Sequence, residues 1–175
     1  MSSVITDTTT RLQTARATAA TVTDPEMPML TLLDLGVLRG VDLDEAGRLI
    51  VTITPTYSGC PAMATMRDDL RRALTRAGFD DVDVRTTLSP AWSSDWISAT
   101  GRRKLSDHGI ATPAPAPTRS GGPIPLTLIP FQHAVRCPHC DSLDTEQTSA
   151  YGSTACKAMH RCRDCGEPFD RIKEI

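Results

Sequence analysis

The sequence predicts an α+β protein: a small α-β-β-α-β-α unit followed by a cysteine-rich ribbon. Three observations carry this. Apolar residues recur at helical spacing over 12–22 and 61–77, and they alternate over 49–54. Two C-x-x-C turns, "CPHC" and "CRDC", stand 21 residues apart near the end of the chain. Between these regions, residues 111–130 hold 6 of the 13 prolines and a Gly-Gly, which is the composition of a semi-extended linker. The resulting division is an N-terminal tail and the start of the first helix over 1–19, a folded unit over 20–110, a linker over 111–130 and the ribbon over 131–175.

In chain order, Leu12, Ala15, Ala19 and Val22 form the first helical stripe, and Pro25 in "DPEMP" ends it by biasing Asp24 away from helical geometry. "DLG", Asp34 to Gly36, reads as a turn. Residues 37–43 and 49–54 are strands joined by "DEAG" as a hairpin turn. Residues 61–77 are the clearest helix, with Met63, Met66, Leu70, Leu74 and Ala77 on its apolar face and Gly78 as its stop. A third strand follows over 82–88. The last helix is expected from an N-cap at Ser93 to His108, stopped by Gly109, with Trp92, Trp96 and Ile97 in the core.

Composition excludes several function classes. With 19 basic and 21 acidic residues the net charge is -2, so no strong field attracts nucleic acid or anionic lipid. No run of 18 apolar residues suits a membrane span. The Ser/Thr-rich start lacks the apolar stretch of a secretory signal. The expected location is cytoplasmic, where thiols stay reduced, and this turns the six cysteines towards metal or thiol chemistry.

Cys137, Cys140, Cys162 and Cys165 supply two tight turns that each aim two sulfurs at one point. Together they make a tetrahedral S4 site suited to structural Zn²⁺, with no position open to substrate. An S4 site also accepts iron. "FQHAVRCPHC" and "TEQTSAYGS" supply strands about the first turn, and the second turn heads a hairpin. A core this small depends on its metal to fold. His139 and His160 are left out of the ligand set. Cys156 lacks a C-x-x-C partner and reads as a small buried residue. Seven basic and seven acidic residues over 111–175 oppose phosphate binding and favour a structural or protein-docking ribbon.

Cys60 stands in "TYSGCPAM", between strand and helix. With Pro61 at the first helical position, Cys60 is the N-cap. The helix dipole there would lower its thiol pKa. The residues alone leave open a functional thiolate and an inert buried cysteine. One thiolate does not hold an iron–sulfur cluster, which usually takes four, so further ligands would come from a second copy, a partner or small thiols. A thiol enzyme would need a base, and His108 is the only histidine before the linker.

Together, "DPEMP", "DLGVLRGV", "VTITPTYSGCPAM" and "SPAWSSDWISATGRRKL" resemble the metal–sulfur cluster biosynthesis domain of iron–sulfur assembly factors. The added ribbon, with "YGSTACKA" in place, is similar to the PaaD family of phenylacetic acid degradation proteins, which accompany a multicomponent phenylacetyl-CoA epoxidase. The resemblance covers about residues 20–110 and 131–173. It implies that Cys60, with Asp24 and Glu26, handles transient iron or an iron–sulfur cluster. It also implies a non-catalytic accessory or maturation role, with the epoxidase reductase or di-iron oxygenase as client. A homodimer is a further expected partner state; nucleic acid and membrane are not expected. The alternative is a structural subunit with an inert Cys60.

Overall fold

The structure, a computed structural model, describes residues 2–115 and 134–175, with side chains from residue 8. It divides into two compact units. The first comprises Met1–Trp92 and Trp96–Gly101, and the second comprises Ser93–Asp95 and Arg102–Ile175.

The first unit contains α1 (Ser2–Ala20), β1 (Leu38–Leu43), β2 (Leu49–Ile53), α2 (Met63–Arg76) and β3 (Val82–Thr86). The α-β-β-α-β order matches the order read from the sequence. The sheet order is β1-β2-β3. β1 pairs antiparallel with β2 through the "DEAG" turn. There Gly47 has φ +79°, and the Asp44 carboxylate accepts the amides of Ala46 and Arg48 at 3.0 and 2.8 Å. β2 and β3 are parallel, as a strand–helix–strand crossover through α2 requires. The alternation of β2 has its expected consequence: Leu49, Val51 and Ile53 are at most 1% exposed. α1 packs on β1, α2 packs on β3, and the two helices pack on each other. They therefore cover one face of the sheet, where Ala15, Ala19, Met66, Leu70 and Leu74 are buried. Each large apolar side chain so enclosed is worth about 1.5–3 kcal/mol.

The helix ends differ from the sequence reading. α1 reaches back to Ser2, through the segment read as tail. Within α1 the Thr14 hydroxyl bonds back along the helix, donating to the Thr10 carbonyl at 3.0 Å. α2 starts at Met63 with Ala62 as its N-cap, so Pro61 lies in the preceding turn. Ala77 is exposed and Met63 only half-buried. The expected third helix is interrupted: Ser94–Trp96 is a 3-10 turn, and α3 spans Ala99–Asp107. Its cap is Ser98, whose hydroxyl accepts the Gly101 amide at 2.9 Å. Ser93 instead caps the short turn, accepting the Asp95 amide at 3.3 Å. Trp92 and Ile97 are core residues, but Trp96 is only half-buried.

The "DLG" turn is fixed from below. A Cβ on Gly36 would lie 2.6 Å from Trp96 Cβ, and the residue has φ +69°, so only glycine fits. The Asp34 carboxylate accepts the Thr31 amide at 3.1 Å and the Ser98 hydroxyl at 3.2 Å. Trp92 Nε1 donates to the Leu35 carbonyl at 2.9 Å.

The second unit holds β4 (Thr145–Ser149), β5 (Lys157–Cys162) and β6 (Pro168–Ile172) as an antiparallel meander. β4 and the β5–β6 hairpin lie where the sequence placed them. Residues 134–136 are not a strand, and the rest of that expected strand lies outside the described residues, as do residues 116–130 of the linker. Ala111 pairs with β6: its amide donates to the Asp170 carbonyl at 2.8 Å, and its carbonyl accepts the Ile172 amide at 3.1 Å.

Candidate functional site

In the second unit, the two C-x-x-C turns converge. The sulfurs of Cys137, Cys140, Cys162 and Cys165 all lie within 4.8 Å of one another. The Cys137–Cys165 and Cys140–Cys162 separations are 3.8 and 3.6 Å. Disulfide sulfurs stand about 2.05 Å apart, so these are not bridges. A tetrahedron with zinc–sulfur bonds of about 2.3 Å has edges of about 3.8 Å, so the residues present fit zinc. Cys137 and Cys162 are fully buried, whereas Cys140 and Cys165 face outward. Amides support the sulfurs, as His139 N–H does for Cys137 Sγ at 3.4 Å.

Packing four thiols together splits their acidities. The Cys162 thiol is lowered to about 7, first by the Cys165 amide. At Cys140 the Ser142 amide acts to lower the pKa, but the Cys165 thiol, burial and the other two thiols outweigh it and push the group up to about 12. Four thiolates do not coexist at this spacing without a cation, and a bound divalent metal resolves the conflict. Neither histidine joins the group. The His139 ring lies against Gly109. His160 is 4% exposed and stacks on Phe169 with ring centroids 5.6 Å apart. Both its ring nitrogens lack a hydrogen-bond partner among the described residues. Burial first, then the Arg171 charge, lowers its pKa. Cys156 is half-buried rather than buried, with its sulfur 3.1 Å from Thr154 Oγ1.

In the first unit, Cys60 is half-buried on the loop from β2 to α2. Its amide donates to the Tyr57 carbonyl at 3.1 Å, and its own carbonyl receives the Met63 amide at 3.5 Å. The N-cap reading shifts by two residues, because Pro61 and Ala62 complete a turn before the helix begins. Asp24 is 4% exposed, and its Oδ1 accepts the amides of Glu26 and Met27, each at 2.8 Å. That bond pattern makes it the organiser of its own turn. Glu26 is exposed on the same turn. Among the described residues, Cys60, Asp24 and Glu26 do not converge into a second group of three ligand atoms.

Sequence reasoning passed over Thr54. It follows β2 and is 1% exposed, and its hydroxyl has no hydrogen-bond partner among the described residues. The only available signal was a polar residue closing an apolar alternation, six positions before Cys60.

Comparison with known proteins draws these features together. Residues 126–173 match the PaaD zinc beta ribbon domain, and residues 12–85 match the iron-sulfur cluster assembly protein family. An Escherichia coli K12 protein is 44% identical over 154 residues, covering 88% of this chain and 87% of its own. The chain belongs to the PaaD family. That relative is described as one of the subunits of a putative 1,2-phenylacetyl-CoA epoxidase. Like it in part, the Fe-S protein maturation auxiliary factor of Porphyromonas gingivalis is 35% identical to this PaaD-family chain, over 45% of this chain and 74% of that one. In fold, the DUF59 domain of unknown function from Bacillus anthracis superposes with a TM-score of 0.51 at 24% identity, covering 55% of this chain and 92% of that one. The fold is thus the metal–sulfur cluster biosynthesis type with a zinc ribbon. No helix among the described residues is long and apolar enough to cross a membrane.

Proposed function

We propose that this PaaD-family chain is a non-catalytic maturation subunit of a phenylacetyl-CoA 1,2-epoxidase, assisting assembly of an iron or iron–sulfur centre in the complex. The observation that carries the reading is the division of thiols. Four cysteines form a closed zinc site, and Cys60 is not one of them: it is half-buried on the loop between β2 and α2. Cys60 brings a single thiol, so metal held there takes its remaining ligands from the client, from a second copy or from small thiols. Asp24 shapes the neighbouring turn through its two amide bonds, and Glu26 offers an exposed carboxylate. The ribbon supplies docking. The relatives' descriptions as part of an epoxidase and as maturation auxiliary factors support the same reading.

The test is to replace Cys60 by Ser and to measure iron and sulfide in co-expressed epoxidase reductase and oxygenase. Loading is expected to fall at least severalfold while the variant stays folded. Full loading with full epoxidase activity would sink the maturation role and leave a structural subunit.

A further inference from the structure

Beside β1 lies a hollow of about 240 Å³, lined by Arg16, Leu33, Leu38, Arg39, Gly40 and Val41. None of its lining residues is a cysteine, and no role described above uses it. Its walls are apolar, and Leu33 is 51% exposed. Two of its lining residues are arginines. The β1–β2 register shifts between Leu38 and Gly40. Arg39 is thereby left out of the ladder, and such irregularities re-aim a side chain. The guanidinium of Arg39 lies 3.6 Å from the centroid of the Trp96 ring. That stack holds the fork in place, yet Arg39 bonds to no acceptor and no carboxylate among the described residues. Arg16 donates through Nε to the Val41 carbonyl and through one terminal nitrogen to Asp42, both at 3.0 Å, which leaves its other terminal nitrogen unused.

We propose that this hollow binds a small monocarboxylate with a compact ring or branched apolar body. The body fills the apolar space, and the carboxylate meets the Arg39 fork. Arginine's planar donors match a carboxylate bidentately. The space is smaller than the drug-sized pockets of about 300 Å³ and above. An extended peptide is disfavoured: β1 is an edge strand, but the Arg16 bond to the Val41 carbonyl occupies an edge acceptor that an added strand would need. The proposal does not rest on the maturation reading, and either one can fail while the other stands.

The test is ¹H–¹⁵N NMR titration of the full chain with benzoate and 4-methylpentanoate, using benzamide as the neutral match and inorganic phosphate as the plain anion. Both acids are expected to give saturable shifts at the Gly40 and Val41 amides and the Trp96 indole. Benzamide and phosphate should bind at least tenfold more weakly. Arg39→Gln should weaken benzoate at least tenfold with an otherwise unchanged spectrum, since Arg39 is exposed. Leu33→Ser should weaken both acids. Equal binding of benzoate and benzamide would overturn the proposal, as would equal binding of phosphate and benzoate or no effect of Arg39→Gln. Shifts at β1 from an acidic peptide, acetyl-Leu-Asp-Leu-amide, with none from either acid, would also overturn it.

Discussion

Thr54 and His160 are among the buried polar side chains with atoms that lack a hydrogen-bond partner among the described residues, and they matter at the scale of single residues. A hydroxyl or imidazole enclosed without a hydrogen bond costs roughly 1–3 kcal/mol. Thr54→Val is therefore expected to raise Tm by several degrees, measured by thermal unfolding. If the gain in stability comes with reduced iron loading of the client, the hydroxyl belongs to the working surface of the Cys60 loop. A fall in Tm would show that the hydroxyl has a partner in solution. His160→Phe follows the same logic. It keeps the stack on Phe169 and deletes two unsatisfied nitrogens. It should raise stability by about 1 kcal/mol with zinc content unchanged; loss of zinc would make His160 a support of the metal site. Residue chemistry was legible in the sequence where it depends on spacing alone. The C-x-x-C pairs carry their own geometry, so the four sulfurs meet as expected. Thr54 and the Arg39–Trp96 stack depend on what lies opposite in space, which no local pattern records, whereas the Asp24 turn is made by bonds to residues two and three positions on.

At the scale of elements, the helix starts are where sequence and structure part. Ser93 and Ser98 are equivalent N-caps by composition. The choice of Ser98 comes from Asp34, whose backbone carbonyl accepts the Ser98 amide at 2.8 Å and whose carboxylate accepts its hydroxyl. Ser98→Ala should therefore cost about 1–2 kcal/mol, somewhat more than an isolated cap, by denaturant titration. Gly36→Ala is expected to be far worse. Its Cβ would meet Trp96 backbone and side-chain atoms at 2.6–2.7 Å in a left-handed conformation, a cost of order 3 kcal/mol or more. A variant with unchanged stability would mean that the turn moves freely. The strands of the first unit were read within a residue or two because alternation against a buried face leaves one register. The interior of α2 was equally clear, since Met66, Leu70 and Leu74 repeat at the helical period.

At the scale of the whole molecule, metal content governs the ribbon. Its buried set, Ala111, Val135, Cys137, Cys162 and Phe169, includes two of the zinc ligands, so the core and the metal site are one structure. Chelation is expected to melt β4 to β6 and expose four thiols in a single step, counted with a disulfide reagent alongside circular dichroism. Acid should act in the same direction, because protons compete with the metal for thiolates. Stepwise thiol exposure with the strand signal retained would separate the ribbon's stability from its metal. The architecture was legible as a succession of elements. Composition places a boundary in the proline-rich stretch, whereas contacts assign residues 93–95 and everything from Arg102 onward to the second unit.

That partition bears on how such a protein is put together over evolutionary time. The Ser94 amide donates to the Ile175 carbonyl at 3.0 Å, and Arg102 donates to the carbonyls of Ser94 and Pro113. The ribbon's compact body thus recruits segments that precede the proline-rich stretch. It is not a cassette that one crossover in that stretch can exchange. A chimaera joined there inherits half of a shared scaffold from each parent. Swaps that respect the physical seam need three junctions, at 92/93, 95/96 and 101/102.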